Sequence, residues 1–152
     1  MSTATRNQVM EAVLNLITQV TFSPAINGST TWQLVSNRLK LFNEVSADQQ
    51  PAAFLVTHKE TDEYRGLGLL RRRLELGIWC YSRSDTDPGA PQLDTMMQGF
   101  EAVFNVPDNI SQNTNTLGGL VYFCRIEGKV FKDPGDLDNQ TLLIVPLVVE
   151  MP

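Results

Sequence analysis

The chain has one histidine and two cysteines in 152 residues. Those scarcities close off much of metal and nucleophilic chemistry. Cys80 and Cys124 show no CxxC spacing, so neither a zinc site nor a dithiol redox motif is indicated. Each falls on an apolar position of a strand-like run and reads as a buried thiol, packed as a small hydrophobe. His58 ends a short apolar run, with Lys59 and Glu60 after it, and reads as a solvated side chain. A Ser–His–Asp set would have to be built around it, and no GxSxG elbow exists. A Cys–His pair would need the fold to carry His58 to Cys80 or Cys124.

Basic excess is also missing. Twelve Lys and Arg against 17 Asp and Glu leave a formal charge of −5, a poor balance for gripping phosphate. No apolar run is long enough to span a bilayer. The stretch "MSTATRNQ" has no hydrophobic signal core, so folding in a cytoplasm is expected. Repeats and low-complexity segments are lacking. "GLG" at 66–68 and "GG" at 118–119 complete neither GxGxxG nor GxxxxGK[ST]. Asp133, Asp136 and Asp138 in "KDPGDLDN" lack the spacing of a calcium loop, and their residue types are those a turn requires. Met96 and Met97 with Phe100 could line a pocket, but at helical spacing they read as core. No metal, cofactor or catalytic residue is therefore assigned, and the chain is expected not to be an enzyme.

What remains is an ordinary globular composition. Apolar residues are 42% and charged residues 19%, enough for one domain over 1–152 with its own core. Val9, Val13, Leu16, Ile17 and Val20 recur at helical spacing, and Thr5-Arg6-Asn7-Gln8 fits a capping box, so a helix starts near Thr5. It stops before "TFSPAINGSTT". The stretch 31–45 is expected to be a strand with an irregular centre, and Ala52–Thr57 a clearer strand. A loop is expected over 61–68, a strand over 70–82 and a loop over 82–91. Leu93, Met96, Met97, Phe100, Val103 and Phe104 mark a second helix, with Pro91 in its first turn. After a polar loop, 108–119, residues 120–131 and 140–151 read as a hairpin. The second arm is apolar on both faces, as a central strand is. Pro146 within it removes one ladder donor, which a bulge or an exposed edge would accommodate. The fold class is α+β: a mixed or antiparallel sheet of four to five strands with two helices packed on one face.

The stretch "LLRRRLELGIWCYSR" (69–83) carries the most distinctive chemistry. As a strand it puts Arg72, Leu74, Leu76, Ile78 and Cys80 on one face and Arg71, Arg73, Glu75, Gly77, Trp79 and Tyr81 on the other. Arg125, Glu127 and Lys129 alternate similarly further on. If the two strands are neighbours, Arg73 can face Glu127 and Glu75 can face Arg125, each pair contributing about 0.2–1 kcal/mol. Such a face is either a solvated, ion-laced surface or a subunit interface with Arg and aromatic anchors; phosphate binding is the third reading. The candidate interface residues are Arg71, Arg73, Glu75, Trp79, Tyr81, Arg125, Glu127 and Lys129.

Read in order, "NRLKLFNEV…DQQPAAFLVTHKE", "RRRLELGIWCYSRSDTDPG", "APQLDTMMQGFEAVF" and "TLGGLVYFCRIEGKVFKDPGDLDNQTLLIVPLVVE" resemble the tail terminator (tail completion, or head–tail joining) proteins of long-tailed bacteriophages. The resemblance runs over nearly the whole chain. It implies a small α+β domain that assembles in the host cytoplasm into a hexameric ring. That ring would sit at the tail–neck junction of the virion, on the last ring of the tail tube protein. It would stop tube growth and meet a head–tail connector or head-closure protein. DNA would pass through without specific binding, and no membrane is involved. The family carries no catalytic residues to transfer. The loops 22–31, 61–68 and 108–119 are the expected docking elements, mobile in the free protein. Two other readings stay open: a different neck component, such as a head-closure or adaptor subunit, and a small-ligand enzyme with a pocket near His58 or the Met96–Met97 helix.

Overall fold

The structure is a computed structural model describing residues 4–66, 68–85 and 87–152. The expectations that touch residues 1–3, 67 and 86 lie outside the described residues at those positions. Helix α1 spans Arg6–Thr18 and α2 spans Gly89–Phe104. The strands are β1 Leu34–Ser36, β2 Ala52–Arg65, β3 Leu69–Arg83, β4 Phe123–Ile126, β5 Phe131–Asp133 and β6 Gln140–Met151. They form one six-stranded sheet in the order β1-β2-β3-β6-β4, with β5 also on β6 beyond β4. Only β1 and β2 pair in parallel; the other pairs are antiparallel. The fold is therefore α+β, with slightly more strands than expected.

Thr5 caps α1 as a capping box requires: its side chain accepts from the Gln8 amide, and Gln8 Oε1 accepts from the Thr5 amide at 2.8 Å. Val9, Val13 and Ile17 of α1 and Leu93, Met96, Phe100 and Phe104 of α2 pack in one core with Leu74, Leu76, Ile78 and Cys80 of β3. Leu143, Val145, Leu147 and Val149 of β6 complete it. Both helices thus cover one face of the sheet. Cys80 and Cys124 are free thiols inside this core; burial raises both, Cys124 to about 12.

Four segments depart from expectation. The stretch 31–45 is not one strand. β1 is three residues long, and the chain then leaves the sheet as a strap with short 3-10 turns at Phe42–Glu44 and Ala47–Gln49. Leu39 and Leu41, whose alternation suggested a strand, stay exposed on that strap, as does Phe42. Residues 61–65 belong to β2, because a strand that is polar on both faces shows no alternation of hydropathy to read. The loop 82–91 gives way at both ends: β3 runs through Arg83, and α2 begins at Gly89.

The single arm expected over 120–131 is two short strands. Ile126 pairs with Leu147 and Phe131 with Ile144, so residues 127–130 face only Val145 and Pro146. Pro146 accepts from the Glu127 amide, which places its missing donor on this same edge. Gly128, at φ +120°, makes the turn beside the Pro146 ring. The bulge is where the proline's lost hydrogen bond is absorbed.

A polar knot closes one end of the sheet. Ser82 and Thr141 occupy core-facing positions on β3 and β6, and their hydroxyls bond to each other. Ser82 also donates to Gln92 Oε1 on α2, and Gln92 Nε2 donates to the Arg83 carbonyl at 2.9 Å. Asn27, from the loop 22–31, pairs with both the amide and the carbonyl of Arg83 at 2.9 Å. Its neighbours Phe22 and Ile26 are buried. That loop is built into the domain.

Candidate interaction face of the sheet

The face of the sheet away from the helices follows from register. Opposed residues of antiparallel strands share a face. One row reads Thr61, Arg73, Glu150, Phe123; the next Lys59, Glu75, Val148, Arg125. Towards the other end lie Val56, Gly77 and Pro146, then Phe54, Trp79, Ile144 and Phe131. A solvated antiparallel sheet face normally alternates to polar residues. Here its centre is apolar instead, and no helix covers it.

The ions border that centre. Arg71 Nη1 donates to Glu150 Oε1 at 3.0 Å, and its guanidinium lies 4.2 Å over the Tyr122 ring. Arg73 Nη2 reaches Glu127 Oε2 at 2.9 Å, and Arg125 Nη2 donates to the same carboxylate at 3.1 Å. Arg125 also stacks 4.2 Å over Phe123. β3 and β4 are not neighbours, because β6 lies between them. The Arg73–Glu127 pair nevertheless forms across β6. Arg125 turns to Glu127, while Glu75 sits beyond Val148 in the same row. Glu75 is half-buried and Lys129 is exposed. Arg72, by contrast, points to the helix side, 3.9 Å from Asp62.

Trp79 and Tyr81 differ in their surroundings. Tyr81 is buried with Val45, Ala52 and Phe54 under the strap, and its hydroxyl donates to the Lys40 carbonyl at 2.9 Å. The fold uses it internally, so it offers no surface to a partner in this conformation. Trp79 is half-buried, and its indole N–H donates to His58 Nε2 at 3.3 Å. His58 occupies the irregularity between Thr57 and Lys59 in the β2–β3 register, with its ring over Gly77. It lies on this outward face, distant in pairing from the core thiols. A Cβ at Gly77 would overlap that imidazole. Since His58 is exposed and can swing away, Gly77→Ala is expected to cost about 1 kcal/mol or less. The expected signature is a change in Trp79 fluorescence with little loss in thermal midpoint.

Among the described residues, no group of three or more His, Cys, Asp or Glu could hold a metal ion. No helix among the described residues is long and apolar enough to cross a membrane. Asp133 ends β5, and Asp136 and Asp138 lie in the turn before β6; the Asp133 carboxylate accepts from the Gly135 amide at 3.0 Å. Met96 is fully buried and Met97 packs beside it, so the methionines are core.

The loop 108–119 is closed by Asp108, whose carboxylate accepts from the Thr116 amide at 2.7 Å, the Thr116 hydroxyl and the Gly118 amide at 2.8 Å. Burial pushes this carboxyl up, but the three donors outweigh it and hold it below the usual aspartate range. A depressed carboxyl contributes stability that is fully present above its unfolded value, about 4. That contribution is lost as pH falls through the folded value. The protection of the Thr116 and Gly118 amides, taken relative to their intrinsic exchange rates, is therefore expected to fall below about pH 4. Asp108→Ala should lower that protection at neutral pH by roughly fivefold, about 1 kcal/mol of local stability.

No protein-family model matches the chain, and no curated protein matches it in sequence.

Proposed function

We propose that this chain is a structural virion subunit of the tail-terminator kind. It forms a ring, expected to be hexameric, at the head-proximal end of a phage tail tube. The ring ends tube polymerisation and joins the tail to the head connector. The observation that carries this reading is the sheet face that no helix covers and that the strap covers only at one end: Val56, Trp79, Ile144 and Pro146 lie along its middle, with Phe131 on the edge strand β5 and Arg71, Arg73, Arg125 and their carboxylates at its border. An apolar centre, aromatic and arginine anchors and a charged rim are what a protein interface needs. The ion pairs use up most of the positive charge on that face, which argues against phosphate as its partner. A tube that grows by adding rings ends in a heterologous surface that can always accept another. A terminator fits that surface on one side and lacks it on the other.

The test is electron microscopy of particles assembled without this chain. Overlong tubes are expected. Normal-length tubes lacking heads would instead assign it to the connector, and unaltered particles would refute a neck role. In solution the acidic protein is expected not to retain duplex DNA at low salt in an electrophoretic shift. Tight retention would refute passive passage of DNA through the ring.

A further inference from the structure

We propose that His58 makes association through this sheet face depend on pH. Neutral, the imidazole holds Trp79 and can be buried with it. Protonated, it releases the indole and sets a charge in the apolar middle of the face. The inference rests on the reading that the face is a protein interface.

Three observations converge on His58. It is the one histidine of the chain, and histidine is the side chain that ordinarily changes charge between about pH 5 and 8. Burial pushes both cysteines up and away from that range. Next, the Trp79 indole donates to Nε2 at 3.3 Å, so Nε2 carries the lone pair and Nδ1 the proton. A proton on Nε2 turns that acceptor into a donor facing a donor, and the bond is lost. The two rings stand at 82°, with the indole N–H towards the imidazole. The cation therefore does not meet the negative face of the Trp79 ring in this geometry. Finally, the imidazole is seated over Gly77, in the row that Gly77 shares with Val56 and Pro146.

That row and the Trp79 row beside it contain no charged residue. The charged groups lie around them. Lys59 and Glu75 oppose each other in the row on the other side. The strap brings Arg38, Lys40 and Glu44 to the Tyr81 end, and the bulge beyond Pro146 brings Lys129. A partner seated on the two apolar rows also covers the imidazole. An imidazolium there would lie against apolar atoms, where an unpaired charge is costly. The proton is therefore shed on association, and the assembly binds fewer protons than its free subunits. Association strengthens as pH rises through the histidine range. It weakens as pH falls, by up to about tenfold per pH unit for each imidazole buried.

Two measurements on the full chain test this. In dilute protein, Trp79 fluorescence is expected to show a step between about pH 8 and 5. His58→Gln keeps an acceptor for the indole without a titrating proton and should show none. Trp79→Phe should show none either, since Trp32 is buried in the helix-side core. In sedimentation velocity at constant salt, with tail tube where the chain alone stays dispersed, wild type is expected to associate about tenfold or more weakly at pH ~5.5 than at pH ~7.5. His58→Gln should associate equally at both. His58→Lys, with its charge fixed, should be as weak at the higher pH as wild type is at the lower. A flat fluorescence profile in wild type overturns the coupling to Trp79. Association that ignores pH in wild type, or that falls equally in His58→Gln, overturns the switch and leaves the interface standing. A wild type that stays monomeric at both values, alone and with tail tube, refutes the interface and the switch together.

Discussion

Gly89→Ala is expected to cost about 3 kcal/mol or more. A Cβ at Gly89 would overlap the Pro134 carbonyl oxygen, with the carbonyl carbon 2.7 Å away and Thr141 Cγ2 at 2.9 Å. The obstacle is backbone, and Gly135 holds that backbone in place at φ +71° against residue 140. Neither the first turn of α2 nor the 134–135 turn can yield without pulling on Thr141, whose hydroxyl bonds to Ser82. Thermal unfolding should show a midpoint lower by about 6–12 °C, at roughly 2–4 °C per kcal/mol for a domain of this size. Gly77→Ala is the internal control, since the group in its way is a side chain with room to move. Equal loss at both positions would refute the argument from backbone contact.

Phe100→Ala is the second large effect, expected at about 3–5 kcal/mol. Phe100 is fully buried on α2, with its ring 5.6 Å from Trp32 and 6.3 Å from Phe104. Trp32 in turn meets Phe22 edge-on at 4.8 Å. Truncation would empty the place where α2, the loop 22–31 and the residues leading into β1 come together. The measurement is the urea midpoint, with Phe100→Leu losing about 1–2 kcal/mol because it keeps most of the volume. Leu41→Ala, on the exposed strap, should stay within about 0.5 kcal/mol. If Phe100→Ala resembled Leu41→Ala, this aromatic cluster would not be what holds α2 to the sheet.

The parts of the fold that announce themselves do so through periodicity or a local motif. Thr5 and Gln8 mark the start of α1 because a capping box is complete within four residues. The two faces of β3 follow from strict alternation between Leu74 and Tyr81. The strap could not be read this way. Leu39 and Leu41 are apolar at strand spacing, but what turns the chain away after Ser36 is tertiary: Val45 and the Lys40 carbonyl attach to the Phe54–Tyr81 cluster. The candidate face was half legible. Arg71, Arg73 and Glu75 could be placed on it from the sequence, but not the insertion of β6 between their strand and Arg125. That arrangement moves Glu127 to Arg73 across an intervening strand. Ser82 and Thr141 offered a signal that went unread, since each is the polar residue at a core position near the end of an otherwise apolar strand face.

β6 follows every other strand along the chain, yet it is the piece on which β3, β4 and β5 all close. Until residues 140–151 leave the ribosome, the β2–β3 hairpin and the β4–β5 segment have nothing between them. A partly synthesised subunit therefore lacks the finished sheet that a neighbour would have to recognise. On the proposed role, a growing particle would find no recognisable sheet on a chain whose residues 140–151 are still to be made, and competence to assemble would become a matter of timing as well as of shape.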